Sequence, residues 1–205
     1  MAFDENVFVN CPFDEEYFPL LRPLIFTILY LGLKPRIALE TIDSGESRLD
    51  KIVRLIRESR YSVHDLSRLR ATQAGEFYRL NMPFELGIDY GCRAFGRGAL
   101  RTKRTLVLEA DAHRYRAALS DLAGCDIETH NNAPLQMVGA IRKWLRNACG
   151  IAAPGAAKIW GDFNDFMADN YDELKGRGFS DADVETLAMP ELIECMALWL
   201  KTPRR

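Results

Sequence analysis

Short apolar runs alternate with longer amphipathic stretches from residue 6 to about residue 149. Runs such as NVFV and RTLVLEA have the length and the β-branched content of buried strands. The stretches between them repeat apolar residues every three or four positions, as an amphipathic helix does. The pattern predicts strands at 6–9, 34–40, 61–66, 104–110 and 126–131. It predicts helices at 15–32, 43–60, 82–96 and 134–150.

This order of elements predicts a parallel sheet covered by helices on both faces, because parallel strands need long crossover connections. The fold class is predicted to be α/β, a flavodoxin-like doubly wound parallel sheet of about five strands in the order 2-1-3-4-5. In the first helix, Gly32 is the predicted stop. Pro23 predicts a kink or a late start of that helix, because its ring clashes with the preceding turn.

The chain changes character at residues 151–158, IAAPGAAK, where small residues predict a linker. Residues 159–201 continue with a helical pattern that is rich in aromatic residues. We therefore predict an α/β domain at 1–150 and a small helical C-terminal extension at 151–205. The extension is too short for much core of its own, so we expect it to dock on the sheet domain or on another subunit.

The 205 residues are 48% hydrophobic and 27% charged, with a net charge of −2. Without a basic excess, neither direct nucleic-acid binding nor an anionic membrane partner is expected. The five cysteines are odd in number and form no C-x-x-C pair, which favours a reduced cytoplasmic protein over a disulfide framework or a zinc site. The N-terminus lacks a signal-peptide pattern, and the longest apolar stretch, PLIFTILYLGL, is too short to span a bilayer.

Several common catalytic motifs are missing from the sequence. No G-x-G-x-x-G follows the first strand and no G-x-x-x-x-G-K-[ST] occurs, which argues against a Rossmann dehydrogenase and a P-loop nucleotidase. The absence of a G-x-S-x-G elbow argues against an α/β-hydrolase. The three histidines lack metal-ligand spacing, so no metal site is predicted.

The predicted fold itself locates a ligand site. In an open parallel sheet, ligands bind beyond the carboxyl ends of the strands where the strand order reverses, which here lies between strands one and three. Loops after strands one, two and three and the helix after strand three bring polar and aromatic side chains to that crevice. The candidate residues are Asn10, Pro12, Phe13, Asp14, Arg48, His64, Asp65, Glu85 and Asp89.

Most of these candidates also have a purely structural interpretation. Asp14 precedes a helix and could be its N-cap, and Glu85 could serve only its own helix terminus. His64 could be a satisfied structural histidine. Asp89 could be a second carboxylate of the site or an ordinary exposed charge.

The aromatic residues near the crevice and Cys11 are open to two interpretations in the same way. Phe13, Tyr17, Phe84 and Tyr90 could line a base-binding pocket, although packing in the core is the commoner role of such residues. Cys11 is better explained as a small buried residue than as a nucleophile, because no basic partner lies near it in sequence.

The order of the motifs resembles a known family. VFVNCPFD is similar to the first strand and loop of nucleoside 2-deoxyribosyltransferases, and YSVHDLS is similar to their third strand. MPFELGIDYGCRAFGRGALRTKRTLVLE resembles their next segment, a helix with Glu-Leu-Gly near its start and a following strand. TIR-type domains that cleave NAD, common in bacterial anti-phage immunity, share this plan. The resemblance covers roughly residues 6–110 and includes an uncharacterised bacterial TIR-like group.

The resemblance implies cleavage of an N-glycosidic bond in a nucleoside, a nucleotide or NAD. It implies that Glu85 is the catalytic carboxylate, that Asp65 is the aspartate ending strand three, and that residues 10–14 form a wall against sugar and base. NAD would be a substrate, and no cofactor is implied. A homo-oligomer is an expected partner state. The alternative is a non-catalytic TIR-like module that senses a nucleotide or oligomerises.

The expected chemistry depends on where Glu85 lies in its helix. In the predicted first turn, the helix dipole and free N–H groups favour the charged carboxylate. Such a carboxylate suits a nucleophile, or a group that stabilises positive charge on the sugar, better than a proton donor. A proton for the leaving base would then come from Asp65 or His64.

Overall fold

A computed structural model describes residues 3–41, 43–68, 80–112 and 114–202. Five strands form one parallel sheet in the order β2-β1-β3-β4-β5, so the protein has the predicted flavodoxin-like α/β fold. The strands are β1 (Asn6–Asn10), β2 (Lys34–Ile37), β3 (Tyr61–Asp65), β4 (Arg104–Glu109) and β5 (Ile127–Thr129).

Helices cover both faces of this sheet. Within the described ranges they are α1 (Phe18–Tyr30), α2 (Arg48–Arg57), α3 (Asn81–Phe95), α4 (Pro134–Cys149), α5 (Ala156–Gly176), α6 (Asp181–Glu185) and α7 (Met189–Lys201). Short 3-10 turns fill several of the connections. Most of the segment between β3 and α3 lies outside the described residues.

Alternating side chains of β1 explain how the two faces form. Val7 and Val9 belong to the main core beneath α1 and α4, whereas Phe8 packs on the opposite face with residues of α2. Successive side chains of a strand point to opposite faces, so a strand that is apolar throughout requires helices on both sides. All five residues of β1 are buried, as this arrangement requires.

The C-terminal helices pack on α1 and α4 and complete the main core. Phe26 of α1 is fully buried, and its ring centroid lies 5.4 Å from that of Phe163, 5.7 Å from that of Phe166 and 5.8 Å from that of Trp199. Of the two predicted docking places for this segment, the structure shows the sheet domain of the same chain.

The boundaries of α1 differ from those predicted. Residues 15–17 form a 3-10 turn, and the helix runs from Phe18 through Pro23 to Tyr30. Pro23 leaves the carbonyl of Pro19 without its helical N–H partner, and the helix continues because the surrounding side chains are fully packed. Gly32 has φ +78°, a left-handed conformation that favours glycine, so the predicted stop is confirmed.

Among the residues that the structure describes, no helix combines the length and the apolar character needed to cross a membrane.

Candidate functional site

A cavity of about 440 Å³ lies at the predicted crevice, beside the carboxyl end of β1. The N-terminus of α3 and Arg48, the first residue of α2, give it a positive character, because the first N–H groups of a helix have no partner within the helix. Arg48 is exposed and makes no hydrogen bond or ion pair with any described residue. The described lining residues are Cys11, Pro12, Phe13, Arg48, Leu80, Asn81 and Met82.

A larger cavity, of about 630 Å³, lies elsewhere, between the end of α1 and helices α5 and α7. It is at the opposite end of α1 from the carboxyl edge of the sheet, and its described lining includes none of the candidate residues. The smaller cavity is therefore the one that the predicted chemistry concerns.

Glu85 lies on α3, one helical turn after the cavity-lining residues Asn81 and Met82. It does not itself line the cavity, but it is close enough to Arg48 and Cys11 for their charges to interact. Its side chain is buried, with the residue only 6% exposed. The carboxylate makes no hydrogen bond or ion pair with any residue in the described parts of the chain.

The structure differs from the sequence prediction in the helix position of Glu85 and in the direction of its pKa shift. The helix begins at Asn81, so Glu85 is its fifth residue, beyond the first turn in which the free N–H groups act. Burial raises the pKa of Glu85 from 4.5 to about 7, and the positive charge of Arg48 only partly opposes this rise. Desolvation therefore outweighs the helix dipole, and the carboxyl group is poised to exchange a proton near neutral pH.

The raised pKa of Glu85 predicts how the free energy of unfolding depends on pH. The folded protein binds the Glu85 proton more tightly than the unfolded chain does, so the stability this provides is complete below pH 4.5 and is lost as the pH rises through about 7. Glu85→Gln, which mimics the protonated form, should raise the free energy of unfolding by about 2 kcal/mol at pH 8 and change little at pH 4. Urea unfolding at both pH values measures the difference.

The exposed Glu15 provides the control for this measurement, and Glu15→Gln should give the same small change at both pH values. If Glu85→Gln were to destabilise the protein at pH 8, the carboxylate would have a partner that the geometry does not show, and the burial argument would fail.

Cys11 lies among three carboxylates. Burial, followed by the negative charges of Asp65, Glu85 and Asp14, raises the pKa of its thiol well above the usual range. The thiol therefore stays protonated at neutral pH. A nucleophilic role is excluded, because the reactive form of cysteine is the thiolate. Three of the candidate carboxylates therefore lie close enough to Cys11 for their charges to act on its thiol.

Asp65 is fully buried and bound by three groups from different elements. It accepts a short hydrogen bond from the Tyr17 hydroxyl and one of 2.7 Å from the Ser67 backbone N–H. His130 Nε2 lies 3.0 Å from its Oδ2 atom. Burial by itself would raise the pKa of Asp65, but hydrogen bonds from His130, Ser67 and Tyr17 hold it below the ordinary value. Asp65 is thus an ionised aspartate that anchors the edge of the sheet.

Tyr17 and His130 are partners that sequence reasoning did not find. The backbone N–H of Asn132 donates to His130 Nδ1 at 3.1 Å, so the neutral ring carries its proton on Nε2, facing Asp65. The signal for His130 was present, because it follows β5 directly and the carboxyl ends of parallel strands share one edge. Tyr17 was considered only as a pocket or core residue.

Asn10 and His64 belong to a second buried network rather than to the cavity surface. The Asn10 side-chain amide donates to the Met82 carbonyl at 2.9 Å and contacts His64 Nδ1 at 3.0 Å. This ties the end of β1 to the start of α3. The Asn10 Oδ1 atom is buried without a hydrogen bond among the described residues, an arrangement that costs free energy and is typical of functional or strained positions. The structural interpretation of His64 is the one that the structure supports.

Asp89 is fully buried, so its interpretation as an exposed charge is wrong. His64 Nε2 lies 3.2 Å from Asp89 Oδ2, Thr105 donates to the same oxygen at 3.0 Å, and Lys103 Nζ lies 3.0 Å from Asp89 Oδ1. Burial would raise the pKa of Asp89, but His64 and then Lys103 lower it far below its usual range. This ionised network fixes α3, and with it Glu85, on β3 and β4.

Asp14 is an N-cap, as one of its two interpretations predicted. Its Oδ1 atom accepts a hydrogen bond of 3.0 Å from the Tyr17 backbone N–H, at the start of the 3-10 turn before α1. Arg68 also lies 3.6 Å from the same oxygen. The capping role accounts for this oxygen without a ligand.

The four aromatic candidates lie in different environments in the structure. Phe13 is half-buried in the cavity wall and Tyr17 is buried on Asp65. Phe84 and Tyr90 are neither in the pocket nor in the core, because they face outwards from α3 with 57% and 60% of their surface exposed. No group of three histidine, cysteine or carboxylate side chains suited to a metal ion occurs in the described ranges.

Comparisons of this chain with protein-family models, with curated proteins and with solved structures find no match.

Proposed function

We propose that the protein cleaves the N-glycosidic bond of a nucleotide or nucleoside in the cavity beside β1, with Glu85 as the group that moves the proton. The observation that carries the proposal is the state of this carboxyl group: it is buried one helical turn from the cavity lining, has no hydrogen-bond or ion-pair partner among the described residues and has a pKa of about 7. Carboxyl groups with such pKa values are characteristic of acid–base catalysts.

The proposed reaction uses both protonation states of Glu85. With a nucleoside or nucleotide, the protonated carboxyl group gives its proton to a nitrogen of the leaving base as the bond from the base to the anomeric carbon breaks. Nicotinamide leaves NAD as a neutral molecule and needs no proton, so with NAD the ionised form of Glu85 acts from the start. In both cases the carboxylate stabilises the positive charge on the sugar and then takes a proton from the water, or from the N–H of the acceptor base, that adds to that carbon. The raised pKa favours this acid–base role over that of a permanently ionised carboxylate, a nucleophile or a charge stabiliser, expected from the sequence.

The cavity wall suits the other parts of a nucleotide. Phe13 offers an aromatic face to a base, and Arg48 with the N-terminus of α3 attracts an anionic group. The motif resemblance to nucleoside 2-deoxyribosyltransferases and NAD-cleaving TIR-type domains supports the same bond as the target, with NAD as one candidate substrate. All five cysteines are free, which supports a cytoplasmic location.

A second function, nucleotide binding without catalysis, is favoured by one specific observation. Asn10, His64, Asp65 and Asp89 are held in buried networks, and Glu85 does not itself line the cavity. A module that senses a nucleotide needs Phe13 and Arg48 but not a reactive carboxyl group. The two functions share the cavity and differ in what Glu85 does.

The test is product analysis with the full chain. Purified protein is incubated at pH 7 with NAD, deoxynucleosides and their 5′-monophosphates, and released base is separated by chromatography. Glu85→Gln should lower the rate of base release at least about a hundredfold, because it removes a positioned acid–base group. Glu15→Gln, an exposed carboxylate, should leave the rate unchanged.

Other outcomes assign the site differently. Equal product formation by the wild type and Glu85→Gln would contradict catalysis by Glu85. Nucleotide binding in calorimetry that Arg48→Gln weakens, with no base released by any form, would favour the sensing module. Absence of both binding and products at protein concentrations that span any self-association would contradict both functions.

A further inference from the structure

Helix α3 has charged residues on its buried side and large apolar residues on its exposed side. It buries Glu85 and Asp89, two of its three charged residues, against the sheet. Its outward side presents large apolar side chains to solvent, with Leu80 just before the helix 61% exposed, Phe84 57%, and Phe95 87%. A surface helix normally shows the opposite arrangement, and exposed apolar patches of this kind mark interaction sites. We call the outward side of residues 80–95 the α3 face.

No close contact among the described residues requires the two glycines in the middle of the α3 face. A Cβ atom added at Gly87 would meet nothing within 4 Å, and one at Gly91 would meet only the edge of the Phe95 ring, at an ordinary contact distance of 3.8 Å. Neither position has the positive φ that requires glycine. Glycine within a helix costs about 1 kcal/mol relative to alanine. Their use here fits a surface on which another backbone or a bulky side chain approaches closely.

The order of large and small residues on the α3 face is complementary to itself. When two copies are placed antiparallel about a two-fold axis near residues 87 and 88, Phe84 of one copy stands opposite Gly91 of the partner subunit. Leu80 then stands opposite Phe95 of the partner subunit. A large side chain thereby faces either the space left by a glycine or another apolar side chain. An isologous interface requires such self-complementary surfaces.

The area available is sufficient for such an interface. Aromatic side chains bury about 150–250 Å² each, so the exposed parts of Phe84, Tyr90 and Phe95 with Leu80 amount to about 500 Å² in each chain. Two copies together would remove about 1,000 Å² from water, the lower limit of a specific protein–protein interface. Arg93, the one exposed charge of the helix, lies with its guanidinium carbon 5.7 Å from the centre of the Tyr90 ring, at the side of the face.

We propose that the α3 face binds the α3 face of a second copy of this chain, to form an antiparallel two-fold dimer. The dimer differs from the contact expected from sequence, because the C-terminal helices are already packed within the chain. Leu80 belongs both to the α3 face and to the cavity wall, so the partner subunit lies at the mouth of the cavity. The proposal itself does not depend on any catalytic activity.

Sedimentation velocity of the full chain over a wide concentration range tests the dimer. The wild type should dimerise, and Phe84→Ser and Phe95→Ser should each raise the dimer dissociation constant at least about tenfold. Leu198→Ser removes a comparably exposed side chain, 66% exposed on α7, and should leave the constant unchanged. Circular dichroism confirms that each variant is folded, which is expected because the changed side chains are exposed.

Gly91→Ala distinguishes an effect on dimerisation from an effect on the stability of the helix. In a single chain the change should raise the thermal midpoint, since alanine is the better helix former, while the added methyl group weakens dimerisation. A wild type that remains monomeric throughout, whether or not it binds lipid vesicles or other proteins, would overturn the proposal. Dimerisation that survives the α3 substitutions unchanged would overturn it as well.

Discussion

A chain that ends at Gly155 is expected to lose its cooperative fold. The removed segment contributes six fully packed side chains to the main core: Ile159, Phe163, Phe166, Met189, Leu192 and Met196. Burial of each large apolar side chain stabilises the fold by about 1.5–3 kcal/mol, so together they are comparable with the whole net stability of a domain. Loss of near-ultraviolet circular dichroism, with early elution or precipitation in gel filtration, is the expected result.

Phe166→Ala tests the same contact without removing chain. Its ring is fully buried and stacks on Phe26 at 5.7 Å, and the cavity left behind should cost about 3–5 kcal/mol in denaturant unfolding. Leu198→Ser, at an exposed position on α7, should cost little. A truncated chain that unfolds cooperatively and stays monodisperse would instead mean that residues 1–150 fold alone.

Asp89→Ala is expected to lower the free energy of unfolding by about 3–5 kcal/mol, because the change leaves the buried Lys103 ammonium without its carboxylate. Lys103 Nζ would keep its 2.8 Å hydrogen bond to the Ile56 carbonyl, but no described group would balance its charge. His64 and Thr105 would also lose an acceptor. Urea unfolding at pH 7 measures the loss.

Removal of both charges is the matched control. Asp89→Leu combined with Lys103→Met leaves no isolated buried charge, so the double variant should be more stable than Asp89→Ala. The lowered pKa of Asp89 also fixes the direction with pH: its contribution is present above about pH 4, the unfolded value, and is lost as the pH falls further. A loss below about 1 kcal/mol for Asp89→Ala would mean that the network is not under electrostatic control.

The Asp89 network also bears on the proposed chemistry. Asp89 lies one turn beyond Glu85 on the same helix, and its partners come from β3 and from the start of β4. The ionised aspartate therefore holds α3, and with it Glu85, in place. Two carboxylates on one helix have opposite pKa shifts because Asp89 is bound by His64 and Lys103, whereas burial of Glu85 is opposed only by the charge of Arg48 among the described residues.

Sequence reasoning succeeded where the physics is local or follows from chain order. The capping role of Asp14 depends on a hydrogen bond to Tyr17, three residues away, and the stop at Gly32 depends on one backbone torsion. The place of Glu85 beside the β1 loop followed from the switch-point rule alone. Each of these needs only neighbours in sequence or the order of the strands.

It failed where side chains from distant segments decide the outcome. The first-turn assignment of Glu85 was out by one residue, and the effect of burial on its pKa could not be read from its neighbours in sequence. The outward direction of Phe84 and Tyr90 depends on which side of α3 the sheet occupies. The partners of Asp65 and Asp89, namely His130 and Lys103, lie far from them in the chain.

The sequence by itself determined the α/β class, the five parallel strands and their order, because the alternation of apolar runs and amphipathic stretches permits few other chain paths. Only the tertiary structure decided that the C-terminal helices complete the core, that α3 turns its carboxylates inwards, and that burial raises the pKa of Glu85 to about 7. The reason is that the burial and the pKa of a side chain depend on contacts from many segments of the chain. No single stretch of sequence specifies all of those contacts.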